Sequence, residues 1–515
     1  MANKQLFASA RALPRADTLN CEMAPAYGYE LRHKLAQLAA TGTLHDNFYS
    51  GAGAQLADVI GLVKAVGPAF VARTAVYARS KGAMKDMPAL LAAWLTVGEP
   101  DLAIRVFGRV IDNGRMLRIF VQIMRSGVVG RTSLGTRPKR LVQQWLEKAS
   151  IATLMRASVG KDPSLADIVR MVHPRPADSV RRAFYGWLLG RPYDVAALPG
   201  EIAGFEAWKR DRSRPLPTVP FEWLTAEPLT TPQWAELVDR MGWQALRMNL
   251  NTLARHGVFQ VDGLAARIAE RLSDAEAQSR AKVMPHQLLV ALGTVDEAIP
   301  LTIQAALEEA LERSLAGVPA VPGRVVVAPD VSGSMSSPLT GYRKGASSKV
   351  RCIDVAALTA AAIMRRNPGT RVMPFAHDVV ALDLDPLARV AVNAARLAAI
   401  GGGGTQVSAP LAKLNADRTD VDIVIIVSDN ESWVDGRDGN GATATMNEWN
   451  RLKKRCPAAK LICIDLQPHG TTQAREGADI LNVGGFSDAL FETVARFAAG
   501  LSAEDWVGEV MEIEI

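Results

Sequence analysis

From about Gly28 to Leu315 apolar residues recur three and four positions apart, with Gly, Pro and Asp between the runs. That spacing predicts helix after helix, joined by short connections. In Asp101–Asp112 it places Ala103, Val106, Phe107 and Val110 on one face. Met87–Val97 is apolar throughout most of its length and predicts a short buried helix. Ser164 reads as the N-cap of a helix over Leu165–Val172, and Thr231 as a cap followed by Pro232 at the first helical position. On the order of a dozen such helices, with no fixed sequence period, suggest a HEAT-like α-solenoid whose stacked pairs share one core.

Past Pro300–Ala316, the last helix of this series, and the linker Val318–Pro322, the pattern changes. Runs of β-branched residues now alternate with helical periods. Strands are predicted at Val325–Asp330, Arg371–Phe375, Ile423–Ser428, Lys460–Asp465 and Asp479–Val483, with a short edge strand near Val379–Leu382. Helices are predicted over Ser348–Arg366, Pro386–Ile400, from Ser408, over Ala442–Arg455 and over Ser487–Ala499. The reading is multidomain: an all-α domain over residues 1–320 and a doubly wound, Rossmann-like α/β domain over 321–515. In such a sheet ligands belong at the carboxyl ends of the strands.

Those ends carry a candidate cation site. The strand over Val325–Pro329 ends in Asp330, and Ser332 and Ser334 follow at alternate positions. A glycine loop, Gly401–Gly404, ends in Thr405. The strand Ile423–Ser428 ends in Asp429. Two acids and three hydroxyls form an all-oxygen set suited to Mg²⁺ or another hard divalent ion. The competing reading makes Ser332 and Ser334 turn-formers and Asp330 a helix cap. Asn430, Glu431 and Trp433 would shape the rim. Glu431 reads as a surface acid, with a place among the ligands as the alternative. The order of these pieces resembles the metal-ion-dependent adhesion site of a von Willebrand factor A domain, and the resemblance covers roughly Val321–Ile515.

Composition narrows the class. The 515 residues are 48% hydrophobic and 22% charged, as in ordinary globular proteins. The four cysteines, Cys21, Cys352, Cys456 and Cys463, are scattered. That spacing argues for a reducing compartment, the cytoplasm, and against a zinc motif or a disulfide frame. No apolar run suits a signal peptide or a membrane span.

Charge is uneven. The first 320 residues hold about 39 Lys+Arg against 30 Asp+Glu, and residues 101–200 alone hold about 17 against 7. Such an excess fits an anionic partner, nucleic acid first, or a solvated Arg-rich helical face. Arg115, Arg118, Gln122 and Arg125 line one helix face. A Gly- and Ser-rich loop then carries Arg131, Arg137, Lys139 and Arg140, a composition suited to phosphate contacts. Arg156 and Lys161 follow. Arg170 and His173 stand near a helix end, with Arg175 just beyond. Pro174 stops the helix at His173, which taken alone is a plain C-terminal residue. Aromatics over Pro174–Trp243 read as core, with base stacking as the alternative.

The order FVQIMRSGVVGRTSLGTRPKRLVQQWLEKA, then LADIVRMVHPRP, resembles the TROVE module of the Ro ribonucleoprotein autoantigen family. HDNFYSGAG at His45–Gly53, LRMNLNTLARHGVF at Leu246–Phe259 and KVMPHQLLVAL at Lys282–Leu292 are looser matches. An A domain directly after such a module is that family's domain order. The resemblance implies a helical module closed into a ring and bridged by the A domain. Its central channel would hold single-stranded 3′ ends of misfolded or immature non-coding RNA. Small Y-like RNA would bind the outer surface, and an exoribonuclease would work alongside. Carried over, the inner contacts fall on Arg156 and His173, with a departure at Gly160, where the family has a second basic residue and this chain places Lys161 beside it. Another departure is Pro163, where the family has an aromatic. The outer contacts fall on Arg131, Lys139 and Arg140.

No P-loop, G-x-S-x-G, H-E-x-x-H or Cys/His cluster occurs in the sequence. The expectation is a non-catalytic, monomeric RNA-binding scaffold with no membrane partner. The rival is a metal-dependent protein-adhesion scaffold whose helices bind protein rather than RNA. A chaperone subunit for an ATPase is a third, weaker reading.

Overall fold

The computed structural model describes residues 13–281, 283, 285–315, 318–342, 350–434, 442–500 and 506–515. The predicted helix start at Ser348 and helix end at Ala316 lie outside the described residues, as do Lys282 and Met284. The chain forms two compact units. One comprises residues 1–66, 284–290 and 312–513; the other comprises 67–283, 291–311 and 514–515. The division therefore does not follow a single cut near residue 320.

In the first unit, five parallel strands form the sheet: β1 (Val325–Pro329), β2 (Arg371–Val372), β3 (Ile423–Ser428), β4 (Lys460–Asp465) and β5 (Ile480–Gly484), in the order β2-β1-β3-β4-β5. β1, β3 and β5 are buried along their whole length. This is why they read as continuous apolar runs rather than alternating ones. The helix Cys352–Arg366 follows β1 and buries most of its residues. The strand order reverses between β1 and β3, which is where doubly wound sheets bind ligands. Val379–Leu382 is not a strand. Only an isolated bridge joins Phe375 to Val379, and Val380 N–H turns back to the Pro374 carbonyl at 2.7 Å.

A second, small sheet ties the start of the chain to this unit. The hairpin of Thr18–Leu19 and Pro25–Gly28 pairs antiparallel with Thr471–Thr472. The helix Leu31–Thr41 follows. Its Gln37 side chain donates to the Gln467 carbonyl at 3.0 Å. Gly484, at the end of β5, is required here, because a Cβ would strike the Gln37 amide.

The second unit is helical. Pro68–Ser80, Asp86–Gly98, Pro100–Val110 and Gly114–Ser126 pack against one another in succession. Pro100–Val110 buries Ala103, Val106, Phe107 and Val110, the face predicted from spacing. Asp86–Gly98 is buried around nearly its whole circumference. One cap shifts: Thr230, not Thr231, caps Thr231–Arg240, in a reciprocal pair with Gln233, and Pro232 falls one position later. Gln233 reaches back to the Thr230 N–H, which fixes the start of the helix there. The aromatics Phe184, Phe205 and Trp208 are buried, and Trp187 and Trp223 pack on them at ring separations of 5.2–6.1 Å. They form core. No helix among the described residues is long and apolar enough to cross a membrane.

Candidate cation centre and basic groove

The D-x-S-x-S segment leaves β1 at the sheet's reversal point. Asp330 and Ser332 are fully buried, and Ser334 is nearly so. Asp330 accepts the Ser332 N–H at 2.8 Å and the Ser428 hydroxyl at 2.6 Å. The Ser332 and Ser334 hydroxyls are 3.3 Å apart. Ser428, the last residue of β3, thereby ties the two acid-bearing strands together. The glycine loop lies against this segment: Gly333 N–H donates to the Gly403 carbonyl and Gly402 N–H to the Val331 carbonyl, each at 3.0 Å. Gly402 and Gly403 adopt φ of 117° and 91°, which a side chain strongly disfavours. A Cβ at Gly404 would meet the Trp433 ring at 2.6 Å. Thr405 is buried, and its carbonyl accepts the Trp433 N–H at 3.1 Å.

Asp330 and Asp429 are both pushed above the usual carboxylate range. Burial is the chief cause for each, and the Asp330 charge adds to it at Asp429. Asp429 Oδ1 accepts the Glu431 N–H at 3.5 Å, yet Asp429 Oδ2 is buried with no hydrogen-bond partner. Two buried, like-charged carboxyls cannot both ionise without a counter-charge. The orphaned oxygen and the adjacent hydroxyls fit a hard divalent cation.

One neighbour differs from the sequence reading, and two escaped it. Glu431, read as a surface acid, is fully buried. The sharp turn after Asp429, with Asn430 at φ 64°, carries Glu431 inward. Burial lifts its carboxyl to about 8 despite the Cys21 N–H bonded to it at 2.8 Å. Asp465, ending β4, is buried and raised as well, by burial first. His469 is buried too, and burial holds its imidazole down at about 4. The ending of β4 in a carboxylate was a usable signal for Asp465; nothing local marks His469.

The basic candidates lie on, and in the connections between, five consecutive helices: α1 (Gly114–Ser126), α2 (Thr136–Lys148), α3 (Ile151–Ala157), α4 (Leu165–Val172) and α5 (Ser179–Leu189). Two cavities adjoin here and share Lys139 and Gln143. One, of about 650 Å³, is lined also by Arg125, Ser133, Thr136 and Arg140. The other, of about 440 Å³, is lined by His173, Arg175, Arg181 and Tyr185. Among the described residues no acid pairs with Arg125, Lys139, Arg140 or Arg175, whereas Arg181 is held by the carbonyls of Leu146, Glu147 and Ala149. Gln143 donates to the Val172 carbonyl at 2.6 Å and so locks α2 to the end of α4.

His173 takes a left-handed conformation, φ 49°, at the end of α4 and is exposed. The cap at Ser164 is reciprocal with Asp167, as the sequence suggested. Arg170 is engaged by Asp167 at 3.0 Å, which leaves its charge partly satisfied. Arg131 lies against Gly135 of the first cavity. Arg156 and Lys161 are exposed and lie outside both linings. Arg118, on the helix face predicted from spacing, donates to the Ala157 carbonyl at 3.0 Å and lies over Gly160.

Comparison with known proteins agrees with both halves. The Ro60 vWA domain family matches residues 324–498, and the TROVE domain family matches residues 222–344. The RNA-binding protein RO60 of Deinococcus radiodurans is 26% identical over 365 residues, a match covering 65% of this chain and 66% of that relative's length. The crystal structure of the Deinococcus radiodurans RO (RSR) protein superposes with a TM-score of 0.61 at 21% identity, covering 92% of this chain and all of that one. The TROVE match begins beyond the basic groove, so the groove is described by its own geometry. A TROVE family match running into a Ro60-type A domain, a RO60 relative and a shared fold together support a Ro-like TROVE protein with a von Willebrand A domain.

Proposed function

We propose that the protein is an RNA-binding scaffold of a Ro-type ribonucleoprotein and works by binding rather than by catalysis. The observation that carries this is the cluster of cationic side chains, Arg125, Lys139, Arg140 and Arg175, around the two adjoining cavities, with no acidic partner among the described residues. Guanidinium and ammonium groups so placed are ready to meet phosphates, and each neutralised phosphate releases counterions. Ser133, Thr136 and Gln143 add neutral hydrogen-bonding groups, so the backbone is held with little regard to base identity. In this reading Arg156, Lys161, Arg170 and His173 follow the single-stranded 3′ end of a misfolded or immature non-coding RNA through a channel. Arg131, Lys139 and Arg140 meet a Y-like RNA. The work is RNA quality control, maturation or decay in the cytoplasm, beside an exoribonuclease. The relative from Deinococcus is named for RNA binding, which supports the same assignment. Exchange of Lys139, Arg140 and Arg175 for Ala together tests it. RNA with a free 3′ tail should bind more weakly and with a shallower salt dependence. Unchanged affinity at two salt concentrations would remove the reading.

A second role is favoured by the buried acid pair with its orphaned Asp429 oxygen. Asp330, Ser332, Ser334, Thr405 and Asp429 would hold Mg²⁺. The ion would supply a positive centre for a carboxylate from a protein partner. Asp330 and Asp429 balance its charge, and Ser428 orients Asp330.

A further inference from the structure

We propose that Cys21, Glu431 and His469 form a second cation site, of mixed sulfur, oxygen and nitrogen character, suited to Zn²⁺ or a similar borderline-soft divalent ion. Three separate segments deliver the ligands. Cys21 lies in the turn of the N-terminal hairpin, Glu431 in the loop after β3, and His469 in the loop after β4. Their sulfur, carboxylate oxygen and imidazole nitrogen all lie within 4.8 Å of one another.

The segments are fastened independently of any ion. Asn20 Nδ2 donates to the Ser432 carbonyl at 2.6 Å, which pins the hairpin turn to the Glu431 loop. Asn20 Oδ1 accepts the Ala24 N–H at 2.9 Å and shapes the turn. The Tyr49 ring stands edge-on to His469 at 5.3 Å and holds the imidazole plane. Such support is what orients ligands at metal sites.

A hydrogen bond does not account for the group. His469 Nδ1 is 3.6 Å from Glu431 Oε1, within ion-pair distance but beyond hydrogen-bond reach. That spacing is close to the ~3.4 Å edge of a tetrahedron whose ligands sit about 2.1 Å from zinc. Both residues are almost completely buried, at 0% and 4% exposure. Glu431 Oε1 and His469 Nε2 nevertheless have no hydrogen-bond partner. Buried, unpartnered polar atoms are costly, and an ion satisfies the carboxylate directly. Cys21 is exposed, which gives the ion a way in. A thiolate, a carboxylate and an imidazole leave the fourth position to water. On binding, the Cys21 thiol proton passes to solvent. The donor set differs from the all-oxygen set around Asp330, so the two sites would sort ions by hardness.

The test uses the full-length chain, stripped by chelator and held in excess Mg²⁺ so that the oxygen-lined centre is occupied. Zn²⁺ should bind one equivalent, and Co²⁺ should give a thiolate charge-transfer band in the near ultraviolet. C21S should abolish the band and weaken Zn²⁺ by more than the roughly 10–100-fold typical of losing an outer-shell partner. H469Q should weaken it likewise, and C456S should leave both readouts unchanged. Zn²⁺ should also shield Cys21 of the unaltered protein from alkylation, a readout that needs no variant. Absence of Zn²⁺ binding, a cobalt band that survives C21S, or alkylation of Cys21 indifferent to Zn²⁺ would each overturn the site. RNA affinity, measured in parallel, reports on the groove separately.

Discussion

Arg118 places its guanidinium over Gly160, with Arg118 Cζ 2.7 Å from where a Cβ at that glycine would stand. Gly160 has φ 111°, so a side chain there is disfavoured twice, by backbone conformation and by collision. The resemblance to the Ro family sets a basic residue at this position, and the glycine is a departure from it. Here a positive charge arrives instead from α1, anchored on the carbonyls of Ala157 and Val159. Gly160→Lys should therefore destabilise the protein, by about 1–3 kcal/mol for strain of this kind, rather than restore a family contact. Thermal unfolding checks the direction. Arg118→Ala should cost a similar ~1–3 kcal/mol from the loss of charge-assisted bonds.

The groove predicts a salt signature. Replacing Lys139, Arg140 and Arg175 with Ala should lower affinity for tailed RNA. It should also flatten the plot of log K against log salt, by about 0.7 for each phosphate of a single strand that the variant no longer neutralises. Filter binding across a salt series reads both. Arg156→Ala with His173→Ala should weaken the same tailed RNA and have less effect on a blunt duplex.

Asp330→Ala should abolish Mg²⁺-dependent thermal stabilisation and leave RNA affinity nearly intact. The buried acid pair lies in the sheet unit, whereas the groove residues belong to the helical unit. Calorimetry with Mg²⁺ and a parallel RNA titration test the separation.

pH should act in a defined direction once divalent ions are removed. Burial raises the folded carboxyls of Glu431, to about 8, and of Asp429. A raised acid stabilises the fold fully below its unfolded value, and that contribution is lost as pH climbs through the folded value. His469, held down at about 4, is neutral in both states once pH exceeds its ordinary value of 6.5. Above that point only the acids act, so Tm in chelator should fall as pH rises from about 6.5 towards about 8. Added divalent ion should reverse the fall, because it favours the ionised carboxylates.

The part of the candidate cation centre that is legible in the sequence is the part written locally. Asp330, Ser332 and Ser334 lie within five positions of one another, and Asp429 ends an apolar run. The alternating helix and strand periods likewise announced the sheet. The grouping of Cys21, Glu431 and His469 could not be read this way, because Cys21 meets the other two only across more than 400 residues, as in Cys21 to Glu431, and Glu431 and His469 stand on different strand loops. The N-terminal hairpin was silent for another reason. Strands of two and four residues are too short to show a period. Arg118 was placed on the correct helix face, yet its task depended on a glycine in a different turn.

The hairpin and the helix behind it have a temporal consequence. They are made early, but their partners, Ser432, Gln467 and Thr471–Thr472, are made more than 400 residues later. At roughly 5–20 residues per second, a ribosome needs on the order of half a minute or more to span that interval. Throughout it, the buried face of Leu31–Thr41 has no sheet to lie on. Completion of the sheet unit must therefore await the synthesis of β4 and β5, and the hairpin with its helix is the stretch most in need of protection while the chain is still growing.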